Sequence, residues 1–188
     1  CEENGLLKNF DVKGMCEFAT QRTPENGSIG AQIYGTKMRS IVKSVNMVKP
    51  ILTQQFLLAQ TICSYGLVPI IEPEVPIDHL DKELIEAMLF QELQKFLSEF
   101  DVKCILKLTP PEVPNLYHEF TEYRKVENVV FLSGGYDTNE ACNRLSLNDG
   151  VTASFSRALS QDLHYSLTED EFNATISNNI KQITEASE

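Results

Sequence analysis

Asn128-Val129-Val130-Phe131-Leu132-Ser133-Gly134-Gly135 is an apolar run that stops abruptly in a hydroxyl and two glycines. Four other runs share this form. Gln32 to Thr36 leads to Lys37 and Arg39, Leu67 to Ile71 to Glu72 and Glu74, Val102 to Leu106 to Lys107, and Val151 to Phe155 to Ser156 and Arg157. In parallel β/α barrels the ends of successive strands converge on one mouth while the strand bodies fill the interior, so polar residues at those ends build a site.

Helical spacing separates the runs. Pro50 is expected to open a helix with Leu52, Phe56, Ala59 and Cys63 on one face, and Gly66 to stop it as a C-cap. Asp81 reads as the N-cap of a helix that turns Ile85, Leu89, Leu93 and Phe96 inward. A short helix is expected over 115–124, and Asp137 with Glu140 has capping-box spacing before a helix to Leu147. Residues 156–165 read as a short extra helix. Thr168 with Glu171 caps the last helix, with Phe172, Ile176, Ile180 and Ile183 expected inward and Leu167 and Phe172 as its staple.

Strand and helix thus alternate, which implies a parallel sheet with right-handed crossovers. Alternation alone leaves a doubly wound sheet and a barrel open. The polar residues favour the barrel, because its phosphate sites use the loops after the seventh and eighth strands and the start of a short extra helix. The last two runs end in Ser133-Gly134-Gly135 and Ser156-Arg157, and numbering them seventh and eighth makes the set strands four to eight. A complete barrel takes about 250 residues, and this chain has 188. The expected fold is therefore α/β, a (β/α)8 TIM barrel of which strands 4 to 8 and their helices are present. Residues 1–188 are read as its C-terminal five βα units, and a first residue of Cys1 in place of Met fits a processed or incomplete chain.

A net charge of -11 and a pI near 4.8 exclude a basic face for nucleic acid or anionic membrane, so an anionic ligand must be held locally. No apolar stretch approaches the ~18 residues of a membrane span, and no signal peptide precedes the pattern; a cytoplasmic protein is expected. Cys1, Cys16, Cys63, Cys104 and Cys142 include no CxxC pair and read as reduced thiols. Asn26-Gly27-Ser28 and Asn173-Ala174-Thr175 match the glycosylation sequon, which requires a secretory context.

Lys107 has apolar neighbours on both sides, so its amine must be buried or ion-paired. Burial and nearby cations such as Lys37 or Arg39 lower the pKa of such a group and free it to attack a carbonyl; a structural ion pair is the plainer alternative. Glu72 and Glu74 suit proton transfer, and equally suit pairing with cations. Ser133-Gly134-Gly135 with Arg157 can cradle a phosphate, although Ser-Gly-Gly alone is often only a turn. His79, His118 and His164 stand away from the strand ends, and no cluster has metal-ligand spacing.

Gly35-Thr36-Lys37-Met38-Arg39, Gly66-Leu67-Val68-Pro69-Ile70-Ile71-Glu72-Pro73-Glu74, Leu106-Lys107-Leu108-Thr109, Val130-Phe131-Leu132-Ser133-Gly134-Gly135 and Ser154-Phe155-Ser156-Arg157-Ala158-Leu159 resemble successive motifs of class I fructose-bisphosphate aldolases, in that family's order. The shorter, bacterial-type branch is the most similar. The resemblance implies reversible cleavage of fructose 1,6-bisphosphate to dihydroxyacetone phosphate and glyceraldehyde 3-phosphate, in glycolysis. Lys107 matches the Schiff-base lysine, Glu72 the acid/base of carbinolamine chemistry, Glu74 its companion carboxylate, and Lys37 the lysine that stabilises charge at the reacting centre. Arg39 matches a substrate-phosphate contact. Ser133, Gly134 and Arg157 match the site for the phosphate of the dihydroxyacetone half, and Ser156 is a further substrate contact.

No metal or cofactor is implied, because an iminium takes the place of a Lewis acid. The implied partner is a small phosphorylated ketose, and a homo-oligomer stays open. Two departures stand out. Animal members carry a longer segment before the arginine. The family also draws an aspartate from its first strand and a lysine from its third, neither of which this chain contains, and open sheet edges make an inactive or unstable fragment the expectation for the chain alone. The alternative is a truncated, inactive paralogue that acts at most as an interaction module. Transaldolase and deoxyribose-phosphate aldolase fit less well, since Glu-Pro-Glu does not suit them.

Overall fold

A computed structural model of the chain describes residues 6, 11–21, 33–34 and 39–188. In chain order the elements are α1 (Val12–Gln21), β1 (Ile33–Tyr34), β2 (Ser40–Ile41), α2 (Val45–Ser64), β3 (Val68–Ile71), β4 (Pro73–Glu74), α3 (Lys82–Glu99) and β5 (Cys104–Leu108). A 3₁₀ turn at His118–Glu122 follows, then β6 (Val126–Phe131), α4 (Thr138–Leu145), β7 (Thr152–Ala153), α5 (Arg157–Ser160) and α6 (Glu169–Glu185). Cys1, Lys37 and positions 32, 35 and 36 of the first expected strand lie outside the described residues.

Strands β1, β3, β5, β6 and β7 lie side by side in that order, each pair parallel. A doubly wound sheet reverses its order at a switch point; this one does not, and so it follows the wall of a barrel. Cys104, Leu106 and Leu108 of β5 and Val129 and Phe131 of β6 are all fully buried, as befits parallel strands covered on both faces. The inward positions expected of α3, Ile85, Leu89, Leu93 and Phe96, are all buried. Phe96 and Phe100 meet Phe56 of α2 with ring centroids 5.2 and 5.5 Å away, within the range where aromatic pairs attract. Gly66 closes α2 with φ +75, its N–H donating to the Cys63 carbonyl at 2.9 Å.

Several local expectations are corrected. Pro50 does not open α2 but stands inside it, exposed, five residues after the helix begins. Burial of Val48, Ile51, Leu52 and Phe56 offsets the single backbone bond that a proline removes. Asp137 does cap α4, accepting from the Glu140 N–H at 2.9 Å, but the Glu140 carboxylate turns to Arg144, and the helix ends at Leu145. The extra helix over 156–165 shrinks to α5, after which the chain closes turns through Leu163 N–H to the Ser160 carbonyl and Leu167 N–H to the His164 carbonyl. The capping box of α6 forms, yet Phe172 and Ile180 are 41% and 51% exposed. Buried Asn179 donates to the Leu159 carbonyl at 3.0 Å and sets the helix rotation, so Asn179 rather than Ile180 faces inward, with Ile176 and Ile183 half-buried.

Cys16, Cys63, Cys104 and Cys142 form no disulfide among the described residues. Burial pushes each above its ordinary pKa, Cys104 to about 12. No helix among the described residues is long and apolar enough to cross a membrane.

Candidate active site

The Glu-Pro-Glu segment is held from two sides. Beyond Ile71 the chain leaves β3, and Pro73–Glu74 pairs in parallel with Ser40–Ile41 as a two-stranded annex. Ser40 N–H donates to the Glu72 carbonyl at 3.1 Å and Val42 N–H to the Glu74 carbonyl at 2.8 Å. From α2, the Gln55 side-chain carbonyl accepts the Glu72 N–H at 2.9 Å. Gln55 is fully buried.

This scaffold separates the two carboxylates by partner. Arg39, at the start of the annex, grips Glu74 with two bonds, Nη2 to Oε1 at 2.8 Å and Nε to Oε2. The hydrogen bond to Glu74 pushes the Arg39 guanidinium still further above its ordinary pKa. Glu72 faces Lys107 instead, its Oε1 3.2 Å from Nζ, with the amine side chain 23% exposed. Among the described residues the ion-pair partner of Lys107 is therefore a carboxylate.

The next two strand ends supply hydroxyls, backbone and a cation. After β6, Gly134 has φ +61 and Gly135 φ +110. A Cβ on Gly134 would come within 2.8 Å of Ile77 Cγ2, so any other residue must displace that side chain and hold a left-handed backbone that favours glycine. Arg157 opens α5, and its Nη1 lies 3.9 Å from where a Gly135 Cβ would stand. Among the described residues Arg157 enters no ion pair. A guanidinium not engaged by carboxylate, in a chain of net charge -11, is suited to an anion.

Arg39, Glu74, Lys107, Ser133, Gly134, Ser156 and Arg157 line one cleft of about 520 Å³, and Glu72 adjoins it through Lys107. Eight of the nine residues singled out from the sequence therefore gather at one place; the ninth, Lys37, lies outside the described residues. Ser154 and Ser160 also line the cleft. Sequence reasoning missed these two, as well as Gln55, whose only signal was a glutamine amid the apolar face of α2. His79 accepts the Asp81 N–H at 3.0 Å, and the His118 ring is 2.9 Å from the Asp149 carbonyl; neither lines the cleft. No group of three or more His, Cys, Asp or Glu among the described residues could hold a metal ion.

No family model matches the chain. It is 49% identical over 189 residues to a protein named fructose-bisphosphate aldolase class 1 from Clostridium acetobutylicum, a match that covers 98% of this chain and 62% of the relative. The Porphyromonas gingivalis protein of the same name is 41% identical over 99% of this chain and 62% of its own length, and that of Synechocystis is 48% identical over 82% and 53%. The structure of fructose-bisphosphate aldolase from Plasmodium falciparum, in complex with TRAP and a small molecule inhibitor, superposes with a TM-score of 0.72 at 17% identity, over 97% of this chain and 65% of that one. At that identity the likeness bears on fold, and it identifies the sheet as part of a β/α barrel. In sequence the chain is thus similar to class 1 fructose-bisphosphate aldolases and shares their barrel fold, and it spans about 62% of the length of the curated relatives it matches.

Proposed function

We propose that residues 1–188 are the last five βα units of a class I fructose-bisphosphate aldolase barrel. The complete barrel cleaves fructose 1,6-bisphosphate reversibly, through a Schiff base on Lys107, as a cytoplasmic enzyme of glycolysis. One observation carries the reading: the Lys107 amine meets Glu72 at 3.2 Å beside a cleft that also holds the Ser133-Gly134 turn and Arg157.

The chemistry follows from that pairing. Glu72 takes a proton from the Lys107 ammonium, and the free amine attacks the ketose carbonyl to give a carbinolamine. Glu72 returns the proton to the carbinolamine hydroxyl as water departs, which leaves an iminium. The C3–C4 bond then breaks as the C4 hydroxyl loses its proton; its electron pair passes into the iminium to form an enamine, and glyceraldehyde 3-phosphate leaves. Protonation of the enamine and hydrolysis of the resulting iminium release dihydroxyacetone phosphate and regenerate the amine. Ser133, Gly134, Ser156 and Arg157 hold the phosphate of the dihydroxyacetone half, Arg39 meets the other, Lys37 stabilises charge at the reacting centre, and Glu74 is the companion carboxylate of Glu72.

Borohydride reduction of the full-length protein with dihydroxyacetone phosphate tests this. A triose adduct is expected on the peptide that contains Lys107, and none in Lys107→Met; labelling elsewhere, or nowhere, overturns the assignment. The alternative reading is a truncated and inactive paralogue. Coding sequence upstream of Cys1 separates the two, since only the enzyme requires further βα units there.

A further inference from the structure

We infer that Thr109 is a positioning residue that sets the spacing between the Lys107 strand end and the Glu72 strand end; the inference rests on Lys107 as the Schiff-base lysine. The pairing of β3 with β5 runs through Ile70–Ile105 and Ile71–Leu106. Glu72 and Lys107 are the next residues on either side. From Glu72 onward the chain turns away to bond with β2, through Ser40 N–H to the Glu72 carbonyl. The two groups that must exchange a proton therefore meet just where the ladder between their strands has ended.

Thr109 closes the far side of that gap. Its hydroxyl donates to the Val75 carbonyl at 2.9 Å and accepts the Val75 N–H at 3.0 Å, and both residues are 1% exposed. A single side chain thus supplies the donor and the acceptor that a strand partner would supply. Without it both backbone groups of Val75 are buried and unpaired, which drives the two loops apart or admits water. Each loop is also anchored outward: Glu72 N–H to Gln55 of α2, and the Pro110 carbonyl, next after Thr109, to Lys82 of α3 at 2.7 Å. The first anchor fixes the Glu72 loop to α2 and the second ties the Thr109 loop to the start of α3, while Thr109 joins the two loops directly through Val75, two residues from Lys107 and three from Glu72.

The test uses the full-length protein with Thr109→Val, which keeps the shape and loses the hydroxyl, and Thr109→Ser, which keeps the hydroxyl. Two quantities are followed by mass spectrometry on the Lys107 peptide: the rate of borohydride trapping with dihydroxyacetone phosphate, and the pH dependence of acylation by acetic anhydride. Thr109→Val is expected to slow trapping roughly tenfold or more and to shift the acylation profile, while Thr109→Ser stays near the unsubstituted protein in both. A folded Thr109→Val with an unchanged acylation profile overturns the inference. Where Thr109→Val does not fold, a Thr109→Ser that departs from the parent in both readouts overturns it. Absence of trapped triose on Lys107 in the parent protein overturns the Schiff-base reading instead, and the acylation profiles still report whether Thr109 positions the amine.

Discussion

Lys82 Nζ lies 2.5 Å from Glu86 Oε1, one turn along α3, with the two side chains only 4% and 1% exposed. The amine also donates to the Pro110 carbonyl at 2.7 Å and pairs with Glu112 at 3.1 Å, and Glu86 Oε2 accepts the Glu112 N–H at 2.9 Å. Glu112 in turn meets Arg144 at 3.0 Å, and Arg144 bonds Glu140 at 2.6 Å. This chain of charges binds the start of α3 to the loop after Lys107 and to α4.

Removing one member of a buried pair strands the other's charge, a loss of about 3–5 kcal/mol. Lys82→Met is therefore expected to lower the urea midpoint sharply. Replacing both ions, Lys82→Met with Glu86→Leu, is expected to recover much of the loss, because no unpaired charge then remains. A single variant as stable as the parent contradicts the burial of this pair.

The same cluster makes stability depend on pH in a stated direction. Burial raises Glu86 above the ordinary carboxylate pKa, and its bond to Lys82 only partly opposes this. The folded state thus holds that proton to higher pH than the unfolded chain, so the contribution of Glu86 is complete below the unfolded value and is lost as pH rises through the folded one. For Glu112, burial pushes up, but Lys82 and Arg144 outweigh it and hold the group low, so its contribution is lost as pH falls instead. The stability of the parent relative to Glu86→Gln is expected to decline over the range that rises from the ordinary carboxylate value of about 4.3. Urea unfolding across that range measures it, and a difference that grows with pH reverses the sign.

The strands were legible because β3, β5 and β6 are short apolar runs, and buried parallel strands must be such runs. Glu72, Lys107, Ser133 and Arg157 were legible because each is the polar residue that ends one. What escaped is what tertiary contact decides. Ser40–Ile41 and Pro73–Glu74 are too short to show periodicity, yet their pairing brings Arg39 to Glu74. Ile180 has the right spacing to face inward, but the bond from Asn179 to the Leu159 carbonyl turns the helix otherwise. Lys82 and Glu86 have the spacing of a solvent-facing pair, and only the approach of Pro110 and Glu112 buries them.

Two glycines with left-handed backbone differ in what surrounds them. Gly66 has φ +75 with nothing within 4 Å of an added Cβ, whereas at Gly134, φ +61, the Cβ would meet Ile77 Cγ2 at 2.8 Å. Gly66→Ala is expected to cost only the backbone term, about 1–2 kcal/mol. Gly134→Ala carries that term plus the displacement of Ile77, and it also narrows the turn in the cleft. Thermal unfolding and dichroic titration with dihydroxyacetone phosphate separate the effects: Gly66→Ala keeps ligand affinity and Gly134→Ala loses it. Equal behaviour of the two denies the Ser-Gly-Gly turn a place in the site.

Arg157 is exposed, begins a four-residue helix and forms no ion pair among the described residues. Truncating it removes no core volume, so Arg157→Ala is expected to unfold at the same temperature as the parent. In a chain of charge -11, general attraction for a phosphate is absent, and local contacts must supply the binding. A charge-assisted contact is about twice as strong as a neutral one, and its loss weakens dihydroxyacetone phosphate binding roughly tenfold or more, at about 1.5–3 kcal/mol per such bond. Arg157→Lys keeps the charge without the planar fork and is expected to fall between the two. Calorimetric titration of the three full-length proteins decides the point: unchanged affinity in Arg157→Ala moves the phosphate elsewhere, and a loss matched by lower thermal stability shows the arginine to be structural.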